Sequence, residues 1–100
     1  MIGNRIEITK EFGDYQTPDY FAERVCQYIK RELKLEPDIV FEPTFGLGSF
    51  IEASINVFTH VKSVFGIEIN KDYFDISQKK VSQIANKKDV DIQLFNEDIF

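Results

Sequence analysis

Residues 41–50 read Phe-Glu-Pro-Thr-Phe-Gly-Leu-Gly-Ser-Phe, and this stretch decides the fold. Ile39-Val40-Phe41, which leads into it, is a short unbroken apolar run, the pattern of a strand covered on both faces. Phe50, Ile51, Ala53, Ser54, Val57 and Phe58 follow it with spacings that suit a helix of about ten residues. Between them, Gly46-Leu47-Gly48 forms a tight turn. Two residues without a Cβ let the backbone turn sharply and approach a ligand.

The pattern continues downstream. Val61 to Ile69 reads as a second strand with Val64, Phe65, Ile67 and Ile69 as its core, and Phe65-Gly66 suggests close packing against a neighbour. Asn70-Lys71-Asp72 opens a helix that carries Tyr73, Phe74, Ile76, Val81 and Ile84 inward. Val90-Asp91-Ile92-Gln93-Leu94 alternates as a third strand, with Asn96-Glu97-Asp98 after its end. Upstream, Thr17-Pro18-Asp19 looks like a helix start: a hydroxyl N-cap, proline at the first helical position and a carboxylate in the first turn. Phe21, Val25, Cys26, Ile29 and Leu33 share one face of that helix, and Pro37 ends it. Residues 1–16 have no clean period and read as an arm. The expected fold is α/β: a Rossmann-like βαβαβ half of a doubly wound parallel sheet, preceded by an N-terminal helix.

Composition narrows the function classes. The chain has 100 residues, enough for one small domain, with 43% hydrophobic and 29% charged residues, as in a globular protein. Twelve basic against seventeen acidic side chains leave a net charge of −5, which argues against this piece alone gripping a polyanion. The single cysteine, Cys26, excludes an internal disulfide and a multi-cysteine zinc site. No metal is expected, and no membrane span either, since the apolar runs are short and interrupted; the default compartment is the cytoplasm. His60, Cys26 and the pairs Lys79-Lys80 and Lys87-Lys88 read as structural or solvated residues.

Three acids stand out by position. Glu42 lies before the glycine turn, where a carboxylate repels phosphate and attracts an ammonium group. A dinucleotide site would want a third glycine, but position 51 is Ile. The combination suits S-adenosylmethionine, which carries an amino group and a sulfonium and no phosphate, although a plain strand-to-helix turn would need the same glycines. Glu68 closes the second strand, where an acid can accept from both ribose hydroxyls or merely flank the next helix. Asp98 follows the third strand, where it could accept from an adenine amine or face solvent. All three fall at the carboxyl ends of successive strands, the edge where ligands bind in such sheets.

Four motifs in order carry a resemblance: Gln16-Thr17-Pro18 before a helix, Glu42-Pro43-x-x-Gly46-x-Gly48-x-Phe50, Gly66-Ile67-Glu68-Ile69, and Asn96-x-Asp98-Ile99-Phe100. Together they resemble the N-terminal part of S-adenosylmethionine-dependent DNA amino-methyltransferases, closest to the adenine-N6 enzymes of restriction–modification systems. The resemblance covers nearly all of residues 14–100. It implies that Gln16, Thr17 and Pro18 border the methionine end of the cofactor. Glu42, Pro43, Gly46 and Gly48 would form the turn beneath it, with Phe50 closing over the adenine. Glu68 would hold the ribose, Ile69 would pack on the adenine ring, and Asp98 with Phe100 would complete the adenine pocket.

The family's catalytic Asn/Asp-Pro-Pro-Tyr/Phe motif has no counterpart, since the sequence contains no Pro-Pro. Residues 17–100 are therefore expected to be a partial methyltransferase domain without its catalytic motif or target-recognition region, and no residue is assigned a catalytic role. DNA would be contacted through regions outside this chain. Half of a parallel sheet also leaves an exposed edge that invites self-association. The alternatives are a methyltransferase for RNA, a cytosine amine or a protein glutamine, and a non-catalytic cofactor-binding or interaction subunit.

Overall fold

A computed structural model describes residues 16–98. The arm assigned to residues 1–16, apart from Gln16, and the adenine-pocket residue Phe100 lie outside them. The elements are α1 (Asp19–Arg31), β1 (Ile39–Glu42), α2 (Ser49–Val57), β2 (Ser63–Ile67), α3 (Lys71–Lys88) and β3 (Asp91–Phe95). The strands form one parallel sheet in the order β1-β2-β3, with Val40 opposite Val64 and Val64 opposite Ile92. This is the βαβαβ unit with a leading helix.

Alternation along the strands divides the sheet into two unlike faces. Val40, Glu42, Val64, Gly66, Ile92 and Leu94 share the face that meets the helices. There Val64 joins a core with Cys26, Phe45, Phe50, Ile51, Val81 and Ala85. On the opposite face Ile39 is 60% and Phe41 58% exposed, and Phe95 is also exposed. The expectation that β1 is covered on both faces is thus corrected among the described residues. Its apolar run has a layer on one side only.

Several expected details shift for identifiable reasons. The helix α1 ends at Arg31, well before Pro37, where the chain turns through Lys34 in the left-handed conformation (φ 54°) and the Leu35 N–H donates to Ile29 O. Its inward stripe is Ala22, Val25, Cys26 and Ile29, while Phe21 and Leu33 are exposed. Pro18, not Thr17, occupies the N-cap, and its carbonyl accepts the N–H groups of Phe21 and Ala22. On α3 the inward residues are Phe74, Ser77, Val81, Ile84 and Ala85, and Ile76 is exposed. β2 stops at Ile67, which leaves Ile69 60% exposed instead of in the core.

Candidate functional site

The carboxyl ends of the strands and the start of α1 meet at one edge, and hydrogen bonds join them. Glu68, one residue past β2, is only 7% exposed. Its Oε1 accepts the Gly46 N–H at 2.7 Å and its Oε2 accepts the Asn70 N–H at 2.9 Å. One carboxylate therefore fastens the turn after β1 to the start of α3. Hydrogen bonds to an ionised acceptor are stronger than neutral ones. A carboxylate has about four acceptor sites, so both oxygens keep capacity for a ligand hydroxyl.

The glycine turn requires its glycines. Gly46 (φ 56°) and Gly48 (φ 86°) are both left-handed, a conformation that costs other residues a steric penalty. Gly48 also caps α2, and a Cβ there would lie 3.2 Å from Val81 Cγ2. The turn is held from three directions. Glu68 takes the Gly46 N–H, the Ser77 hydroxyl donates to Gly46 O at 2.6 Å, and the Leu47 N–H donates to Gln16 Oε1 at 3.1 Å.

The Gln-Thr-Pro segment is thereby docked on the turn. Ser49 Oγ strengthens this join, lying 2.8 Å from Thr17 O and 2.7 Å from Asp19 Oδ1. Thr17 is buried and Pro18 half-buried. Glu42 ends β1 and is 1% exposed, while Pro43 after it is half-buried. Buried Cys26 lies near it. Its thiol pKa is pushed up first by burial and then by the charges of Glu23 and Glu42, against a lowering contact with Ser54 Oγ at 3.9 Å.

On the far side, Asn96 Nδ2 donates to Glu68 O at 2.7 Å and Ile69 O at 3.1 Å. This fixes the backbone that presents Ile69 to solvent. Asp98 is exposed beyond β3. Phe50 is instead part of the core, 7% exposed, and presents little surface to a ligand. The structure thus brings Gln16, Gly46 and Glu68 into one bonded network, with Thr17, Pro18 and Gly48 beside it, and leaves Phe50 inside. Among the described residues, no cluster of His, Cys, Asp and Glu could hold a metal ion, and no helix is long and apolar enough to cross a membrane.

Three residues of this network escape a reading of the sequence: Ser49, Ser77 and Asn96. Ser77 had a signal, for it shares its helical face with Phe74 and Val81, where a polar side chain needs a buried partner. Asn96 stands within the last motif but makes its bonds through tertiary proximity alone.

The sequence matches no protein-family model. It is 49% identical over 92 residues to Type II methyltransferase M.NspV from Nostoc sp., a match that covers 90% of this chain and 19% of that protein. The chain thus spans about a fifth of this relative's length. Among solved structures, it resembles the methyltransferase subunit of a type I restriction-modification system from Streptococcus thermophilus, with a TM-score of 0.62 and 18% identity over 85% of this chain and 19% of that one. It likewise resembles a methyltransferase from Geobacter sulfurreducens, with a TM-score of 0.58 and 16% identity over 93% of this chain and 47% of that one. The Rossmann-like α/β fold and the resemblance to methyltransferases of restriction–modification systems both stand.

Proposed function

We propose that this chain is the S-adenosylmethionine-binding part of a DNA amino-methyltransferase that acts on the exocyclic amine of adenine. The observation that most supports this is the pair of bonds from Leu47 N–H to Gln16 Oε1 and from Gly46 N–H to Glu68 Oε1, which link three of the four motifs through one turn. The acceptor set fits the cofactor: the Glu68 carboxylate keeps acceptor capacity for a ribose diol beyond its two backbone bonds. When bound, the cofactor supplies an electrophilic methyl group on a sulfonium.

In this reading Gln16, Thr17 and Pro18 border the methionine end, above the turn formed by Glu42, Pro43, Gly46 and Gly48. Glu68 accepts from the ribose hydroxyls with the capacity its two backbone bonds leave. Exposed Ile69 packs on the adenine face, Asp98 accepts from the adenine amine, and Phe100 completes that pocket. Phe50 supports the turn from within the core. Residues 17–100 form the cofactor unit and none of them is assigned to catalysis. With a net charge of −5, this chain leaves the grip on DNA to a more basic surface, in the cytoplasm where that substrate lies. The apolar sheet face exposed among the described residues supports self-association.

The test is calorimetric titration with S-adenosylmethionine, with NADH as control and Ile69→Ala as the variant. Because Ile69 is exposed, its truncation should leave the fold intact. Saturable binding that the variant weakens roughly three- to tenfold, without response to NADH, is expected. A folded chain that binds NADH as well, or binds neither ligand, would sink the proposal.

A further inference from the structure

We infer that Ser77 is a positioning residue for the cofactor turn, acting through a single peptide unit. A trans peptide directs its C=O and N–H to opposite sides. In the Gly46–Leu47 unit, the C=O accepts from Ser77 Oγ at 2.6 Å and the N–H donates to Gln16 Oε1 at 3.1 Å. Ser77 on α3 and Gln16 ahead of α1 thus pull on opposite edges of one plane. Ser77 is fully buried, so water cannot replace its hydroxyl without local opening.

Glycine makes this anchor necessary. Gly46 is left-handed at φ 56° and lacks the Cβ that would restrict rotation of the adjoining peptide, so the plane is free to flip unless its edges are held. Glu68 holds the preceding amide, the Gly46 N–H, but not the Gly46–Leu47 plane. Flipping would turn the Leu47 N–H away from Gln16 Oε1 and take that side chain off the turn, while Ser49 still joins Thr17 and Asp19 to it. Ser77 therefore sets whether Gln16 is presented at the methionine end of the site. This deepens the cofactor reading and rests on it for the ligand alone.

The experiment is a double-mutant cycle of Ser77→Ala and Gln16→Ala, read by titration with S-adenosylmethionine and by amide hydrogen exchange at Leu47 in the free chain. Each single substitution should weaken binding roughly tenfold, and the double variant should be little worse than either. Leu47 exchange should accelerate about tenfold in Ser77→Ala, while Val64 in the central strand keeps its protection. Additive losses in affinity, or unchanged exchange at Leu47, would overturn the inference. If Ser77→Ala does not fold, Ser77→Cys replaces it. The cysteine keeps a side chain in the site but is only a weak donor, and the same acceleration at Leu47 is required of it. Should the unsubstituted chain bind no S-adenosylmethionine, the cofactor reading fails alone, and the exchange measurement still decides the role of Ser77.

Discussion

Gly66 in β2 shows how little tolerance surrounds the site. A Cβ there would lie 2.7 Å from Phe45 Cδ2, 2.9 Å from Leu94 Cδ2 and 3.1 Å from Ile51 Cδ1. Phe45 is the residue before the glycine turn, so displacing it moves the turn. Gly66→Ala should cost about 1–3 kcal/mol in chemical denaturation. Cys26 offers a pH test. Its folded pKa is raised above the ordinary 9.0, chiefly by burial, so the folded state holds its proton longer than the unfolded state. That contribution is complete below pH 9.0 and is lost as pH rises through the folded pKa. Denaturation midpoints compared between pH 8 and 10.5 should fall more steeply for the unsubstituted chain than for Cys26→Ala.

At the scale of elements, α3 governs the site's floor while its ends are capped in contrasting ways. At the N-terminus, Asn70 Oδ1 accepts the Tyr73 N–H at 3.0 Å, and the Asn70 N–H donates to Glu68 Oε2. Asn70→Ala removes the side-chain cap and should destabilise by about 1 kcal/mol, measured by urea denaturation. At the C-terminus, Asp89 is left-handed at φ 57°. Asp89→Gly relieves that conformation and should raise stability by roughly 0.5–1 kcal/mol, seen as a higher melting temperature. Opposite signs at the two ends would show that α3 is limited by its C-cap.

For the whole molecule, the two-faced sheet dominates. Among the described residues, three helices lie to one side, and Ile39, Phe41 and Phe95 remain exposed on the other. A groove of about 390 Å³ continues from β1 to α1, lined among others by Ile29, Leu35 and Phe58. Such apolar surface drives association. Phe41→Lys should leave the denaturation midpoint nearly unchanged while reducing sedimentation-detected self-association. Equal association in both proteins would place the contact elsewhere.

The parallel βαβαβ order was legible in the chain because each element has its own period and each turn its own chemistry. Gly46 and Gly48 marked the tight turn, and the apolar run from Val61 marked the second strand, although it ends at Ile67 and not at Ile69. Local pattern fixes these features because they depend on neighbours in sequence. Coverage of a face does not, so the apolar run 39–41 read as doubly buried although one side is exposed among the described residues. The network is equally non-local. Ser77 and Gln16 meet one peptide only after α3 and α1 have packed against the sheet's carboxyl edge. The sequence by itself determined the order of the elements and the place of the glycine turn. Only the tertiary structure decided that Phe50 is spent in the core, that Ile69 faces solvent, and that Glu68 first satisfies two backbone amides, because burial and hydrogen-bond partners depend on what packing brings near.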